Sequence, residues 1–141
     1  MKIKKLALIG YTGLIGKNFA GQIKKKKLNI DYYNSENAFK LNDHIKYDLV
    51  FCAALPAEKW HANKYPKKDF NNSSNLIKYL KNVDTKIFIL ISTIDVKFKH
   101  AYGKNRLRLE KFVSKKFKKN IIKILPGVFG KGLKKNVIYD L

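Results

Sequence analysis

The feature that most constrains this chain is Gly10-Tyr11-Thr12-Gly13-Leu14-Ile15-Gly16, directly behind the apolar run Leu6-Ala7-Leu8-Ile9. A short apolar run, three glycines at three-residue spacing and then a helical pattern spell the strand, turn and helix of a phosphate-binding βα unit. The chemistry asks for glycine because a pyrophosphate must lie close to the backbone at the helix N-terminus. There, free N–H groups and the helix dipole favour an anion. Leu14, Ile15, Phe19 and Ile23 recur at helical spacing, and the run Lys24 to Lys27 closes that helix.

The remainder alternates in the same way. Leu28 to Tyr33 reads as a second strand, followed by Asn34 and Ser35 and a loop-like stretch to Lys46. Asp48 to Ala54 is a third strand ending in the small pair Ala53 and Ala54, and Pro56 to Tyr65 is a loop or short helix. Pro66 restarts a helix through Leu76, Ile77, Leu80 and Val83. Lys86 to Ile91 is a fourth strand, almost continuously apolar, as expected for a parallel strand covered on both faces. It delivers Ser92, Thr93 and Asp95 to its C-terminal end, where open α/β sheets bind ligands. A helix then carries Tyr102, Arg106, Leu109, Phe112, Val113 and Phe117, and Ile121 to Leu125 is a fifth strand running into Pro126-Gly127. Leu133 to Leu141 starts another helical pattern. The expected fold is α/β, a Rossmann-type doubly wound parallel sheet of about five strands with helices on both faces.

At 141 residues the chain is expected to form a single domain with one core. Cys52, the one cysteine, excludes a disulfide framework and a cysteine-based metal site, and a reducing cytoplasmic setting is the default. No apolar run approaches the roughly 18 residues of a membrane span. The net charge of +21 is large enough to suggest a nucleic-acid partner. Yet the runs Lys24 to Lys27 and Lys115 to Lys119 fall at predicted helix ends, where cations complement the dipole, and no nucleic-acid-binding signature accompanies them. The charge is therefore read as compositional. His44, His61 and His100 have no carboxylate or cysteine partner at a readable spacing, so surface or packing roles are expected for them.

Tyr102 and Arg106 stand four apart and share one helical face. A cation beside a phenol stabilises the phenolate, so Tyr102 is expected to titrate below the ordinary tyrosine value, in a range useful for proton transfer. The alternative is a surface helix in which Arg106 pairs with Glu110 one turn on.

The glycine turn in its GxxGxxG form, the alanine pair, Ser92-Thr93, Tyr102-x-x-x-Arg106 and Pro126-Gly127, in that order, resemble the extended short-chain dehydrogenase/reductase family. These are the epimerases, dehydratases and reductases of nucleotide sugars. The resemblance implies NAD or NADP as cofactor, held by Gly10, Thr12, Gly13, Leu14, Ile15, Gly16, Asn34, Ala53, Ala54, Tyr102, Arg106 and Pro126. It implies catalysis by Thr93, Ser92, Tyr102 and Arg106, a small-molecule nucleotide sugar as substrate, and pairing of two copies through the helices at 66–83 and 103–117. Asp95 stands where dehydratases of the group place an acid.

This sequence departs from the family at four points. Asn34 replaces the acid expected to bind the ribose of NAD, which leaves the choice between NAD and NADP open. Arg106 replaces lysine, and the two are not interchangeable. Only eight residues separate Thr93 from Tyr102. The further region with which the family holds the nucleotide sugar is expected to be absent. Two other readings follow, a cofactor-binding module without catalysis and, less favoured, a basic nucleic-acid-binding protein that keeps the fold.

Overall fold

Strand β1, Lys5–Ile9, is the spine of the sheet, and from Leu6 to Ile9 no residue is more than 1% exposed. Burial on both faces is what a central parallel strand requires, and it explains why this segment is apolar without alternation. Our computed structural model describes residues 1–126. The sequence expectations for Gly127 and for Leu133 to Leu141 lie outside the described residues.

After β1 come helix α1 (Leu14–Ile23), β2 (Asn29–Tyr33), β3 (Lys46–Cys52), α2 (Lys59–Lys64), α3 (Pro66–Leu80), β4 (Asp84–Thr93), α4 (Ala101–Lys116) and β5 (Asn120–Leu125). The five strands are parallel in the order β2-β1-β3-β4-β5. The chain leaves β1 for β2 on one side and then crosses to β3 on the other, so the strand order reverses at β1 and β3. Ligands of open α/β sheets sit outside the strand ends at such a point. The crossover, residues 34–45, contains only a single 3-10 turn at Ala38–Asn42, and Ala38 and Leu41 from it are buried in the core. This matches the loop expected there.

Side-chain alternation divides the core in two. On one face Ala7, Ile9, Val50, Cys52, Phe88 and Leu90 pack against Leu76 and Leu80 of α3 and Leu109 and Val113 of α4. On the other, Leu6, Leu8, Leu49 and Phe51 meet α1 through Ile23, Ile15 and Phe19. The Phe19 and Phe51 rings stack at 3.8 Å. Helices therefore cover both faces, as the pattern of the sequence implies. At the strand N-termini, Asp48 accepts the backbone N–H groups of Lys4 and Lys5 at 2.9 and 3.0 Å and pairs with Lys86 at 2.7 Å. Lys86 above all, then those N–H groups, hold its carboxyl well below the usual carboxylate range.

The turn between β1 and α1 is a place where backbone meets backbone. Gly10 adopts φ +86, and a Cβ on it would lie 2.3 Å from the Ala53 carbonyl oxygen; a Cβ on Gly16 would lie 2.0 Å from the Gly10 carbonyl oxygen. Gly21, on the outer face of the same helix, has nothing within 4 Å of its Cβ position. Gly16→Ala is therefore expected to destabilise the protein by at least about 2 kcal/mol, because backbone must shift to admit the methyl. Gly21→Ala should stabilise it by about 0.5–1 kcal/mol through helix propensity alone. Urea midpoints of the two variants test this, and a neutral Gly16→Ala would overturn the packing account.

Candidate functional site

Because every strand is parallel, the C-terminal ends of β1, β2, β3 and β4 open on one end of the sheet. The glycine turn, Asn34, the alanine pair and Ser92-Thr93 all lie there. The Gly10 N–H donates to the Tyr33 carbonyl at 2.8 Å and the Ala53 N–H to the Ile9 carbonyl at 2.9 Å, so the turn is tied to both neighbouring strand ends. Helix α1 starts at Gly13 with no side chain capping it and no acid in its first turn, which leaves its N-terminal donors open to an outside anion.

The three glycines are not equivalent. Gly10 and Gly16 are demanded by the fold itself. Gly13 is exposed, and a Cβ there would meet only the Gly10 carbonyl oxygen, at 3.6 Å, an ordinary contact. Packing leaves room for a larger side chain at this position. The residues present therefore fit a bound pyrophosphate, with open space where it needs close approach and a free helix terminus behind it.

Asn34 ends β2 in a turn of its own. Its side-chain oxygen accepts the Glu36 N–H at 2.9 Å, and its backbone N–H donates to Asn37 Oδ1 at 2.7 Å. Thr12 is exposed, Leu14, Ile15, Ala53 and Ala54 are half-buried, and Pro126 is exposed at the end of β5. Between Ala54 and Pro56 the backbone of Leu55 takes φ +80, a left-handed conformation uncommon in a non-glycine residue and a place where strain is stored.

At the end of β4 the two hydroxyls part company. Alternation puts Ser92 on the face of Phe88 and Leu90, which carries α3 and α4, and Thr93 on the opposite face with Ile89 and Ile91. Thr93 Oγ1 accepts the Asp95 N–H at 3.2 Å and donates to Asp95 Oδ2 at 3.0 Å, capping the 3-10 turn Ile94–Lys97. Asp95 also holds Lys59 at 3.1 Å and lies 3.5 Å from His100 Nε2. Burial works against its charge, but Lys59, Thr93 and His100 together outweigh burial and bring its pKa below the ordinary value.

His100 is neither catalytic by spacing nor idle. Its Nδ1 accepts the Gly103 N–H at 3.0 Å and caps α4. A Cβ on Gly103 would lie 2.1 Å from the Asp95 carbonyl oxygen, so only glycine lets the helix start so close to that turn. His61 is packed between Trp60 and Tyr65, at 5.4 and 4.8 Å between ring centres, and His44 is exposed, in line with the roles expected of them.

Tyr102 and Arg106 do share a face. The Arg106 guanidinium lies over the Tyr102 ring, its central carbon 3.9 Å from the ring centre. One alternative falls away and one expectation needs correction. Arg106 pairs with Asp69 of α3 rather than with Glu110, and both are almost fully buried. Tyr102 is itself 8% exposed, and burial raises its pKa above the ordinary tyrosine value, with Arg106 pulling it back without overcoming the desolvation. Arg106 also donates to the Pro56 carbonyl at 2.6 Å, and Asn105 donates to Asp69 Oδ2 at 2.6 Å. Breaking a buried pair of this kind by removing one partner costs about 3–5 kcal/mol. Asp69 carried no signal as a site residue, since an acid in the first turn of a helix is ordinary dipole complementation. Its partner lies 37 residues away.

No family model matches this sequence, and no curated protein matches it either. Solved structures do match. A dTDP-4-dehydrorhamnose reductase from Clostridium acetobutylicum superposes with a TM-score of 0.78 at 20% identity over 96% of this chain and 57% of that one. The dTDP-4-dehydrorhamnose reductase of Bacillus anthracis, in complex with NADP, gives 0.70 at 16% identity over 88% and 54%. The Bordetella bronchiseptica enzyme WbmH, in complex with NAD+, gives 0.68 at 14% identity over 92% and 57%. The chain spans a little over half the length of these relatives. Among the described residues, no helix is long and apolar enough to cross a membrane, and no group of His, Cys, Asp and Glu could hold a metal ion.

A carboxylate with a lowered pKa stabilises the fold fully above the ordinary carboxylate value and ceases to do so as pH falls through its folded value. Asp95→Asn should therefore cost on the order of 1 kcal/mol near neutrality. The gap from wild type should close as pH falls below the ordinary 3.8. Urea midpoints of both proteins between pH 2 and 6 read this directly. From its fold, the chain is a Rossmann-type α/β protein.

Proposed function

We propose that this chain binds NAD or NADP across its glycine turn and serves oxidation–reduction or epimerisation at a carbon of a nucleotide sugar. The observation that carries the reading is the contrast among the glycines: Gly10 and Gly16 are required by packing, whereas Gly13 has space the protein leaves unused. The solved neighbours support the cofactor and substrate class, two being reductases of a dTDP-sugar and two holding NADP or NAD+.

In this reading the pyrophosphate rests on the N-terminus of α1 beside Gly13, flanked by Thr12, Leu14 and Ile15. Ala53 and Ala54 give it a low wall, and Asn34 stands at the ribose. Lacking a carboxylate, Asn34 does not repel a 2′-phosphate, so NADP is accommodated as well as NAD. The bound nicotinamide supplies hydride transfer. Ser92 Oγ or Thr93 Oγ1 would hydrogen-bond the reacting sugar oxygen, and Tyr102 Oη would give or take its proton. Tyr102 carries its proton near neutrality, as any phenol does, and could give it in a reduction, while the burial that raises its pKa makes it a weaker acid than a free phenol. Arg106 acts on the Tyr102 ring rather than on the ribose, because its donors are turned to Asp69 and Pro56.

A second reading, a cofactor-binding module without turnover, draws support from this same commitment of Arg106 and from the burial of Tyr102. NADH binding without turnover of any sugar nucleotide would favour it.

Titration with NADH and NADPH, followed by nicotinamide fluorescence, tests the site. Gly13→Val should abolish binding while moving the urea midpoint by less than about 1 kcal/mol equivalent, because the protein itself leaves room there. Loss of binding together with loss of fold, or retained binding, would refute the phosphate assignment. Tyr102→Phe should remove turnover and leave cofactor affinity within a few-fold.

A further inference from the structure

Arginine stands four residues after Tyr102, and its surroundings give a reason for that residue type. The guanidinium is used in three directions at once: one nitrogen to Asp69 of α3, another to the Pro56 carbonyl, and its central carbon over the ring of Tyr102. A lysine ammonium is a point charge with no plane to stack and no fork to divide between two acceptors. The Pro56 carbonyl belongs to the segment that leaves β3, immediately after Leu55 with its left-handed backbone. Asp69 is 4% exposed, and its Oδ2 receives both Arg106 and Asn105. A carboxylate this buried is kept only by such a set of donors.

We propose that Asp69 is the positioning residue for Tyr102: it anchors Arg106 so that the guanidinium stays over the phenol, bonds the Pro56 carbonyl, and has its charge balanced inside the protein. The inference deepens the reading of Tyr102 as the proton-transfer group and rests on it for its meaning in catalysis. The charged groups facing Tyr102 are Arg106 on its own helix, Asp69 from α3, Asp95 from the turn after β4, and His100, whose ring centre lies 6.2 Å away. From α2, Asn63 accepts the Tyr102 N–H at 3.0 Å, and Lys59 pairs with Asp95 at 3.1 Å. Asp69 and Asp95 disfavour the phenolate and Arg106 favours it, so removing either half of the buried pair unbalances the ring in a defined direction.

The test is the phenolate absorbance titration of the full chain without cofactor or substrate. Tyr102 is isolated by subtracting, for each protein, the curve of the same protein carrying Tyr102→Phe. In Asp69→Asn the midpoint of Tyr102 should fall below that of wild type, because Arg106 keeps its charge and loses its counter-ion. In Arg106→Met it should rise above wild type, because Asp69 then acts alone. Opposite shifts from the two halves of one pair are not what general loosening produces, since admitted water would move both towards the ordinary tyrosine value. An unchanged midpoint in folded Asp69→Asn, or shifts of the same sign in the two variants, overturns the proposal.

If the lone guanidinium of Asp69→Asn prevents folding, the double variant Asp69→Asn/Arg106→Met is compared with Arg106→Met. A lower midpoint in the double variant supports the role of Asp69, and equal midpoints overturn it. Because the readout involves no turnover, failure of the catalytic reading and failure of this one are distinguishable.

Discussion

The close approach of three backbone segments at the end of β1 is the constraint on which the rest of this structure depends. The Gly10 carbonyl sits against the first turn of α1 at Gly16, and the Gly10 α-carbon sits against the carbonyl of Ala53 at the end of β3. Only with both contacts made can α1 lie on the sheet face formed by Leu6, Leu8, Leu49 and Phe51 while its N-terminus points across the ends of β1 and β3. The open terminus for an anion and the helix packing that builds half of the core thus come from the same few atoms. A substitution at Gly10 or Gly16 damages both, whereas one at Gly13 reaches the terminus alone.

The polar half of the site follows a different physics. Tyr102, Arg106, Asn105 and Asp69 are all buried between α3 and α4, where a charge is tolerated only with its full complement of donors and acceptors. Burial sets the titration of the phenol in one direction and the guanidinium opposes it. The loop after β3 joins the same network through a single carbonyl, that of Pro56. A wall of the proposed cofactor cleft and the proposed proton donor are thereby held by one side chain.

Much of this was legible in the sequence where the signal is local. The strand–glycine–helix unit is read from consecutive residues, the central strands from uninterrupted apolar runs, and the contact between Tyr102 and Arg106 from helical spacing. Asp69 was not legible, since nothing near it marks it and its partner is distant along the chain. The sign of the Tyr102 shift was misjudged for a related reason: spacing reveals the neighbouring cation but not the depth of burial, and burial is the larger effect. The separation of Ser92 from Thr93 onto opposite faces could have been read from strand period alone, had the strand been carried two residues past Ile91, as β4 in fact runs.

The connection from β4 to α4 is clamped at both ends, by Thr93 over Asp95 on one side and by His100 and the bare α-carbon of Gly103 on the other. Between the clamps only Lys97, Phe98 and Lys99 are consecutively exposed. In engineering terms this tripeptide is the graft point of the site. Phe98 in its middle is tied back, its N–H to the Asp95 carbonyl at 2.9 Å and its own carbonyl against the Gly103 α-carbon. A longer loop spliced there must keep both contacts to hold Tyr102 in register with β4.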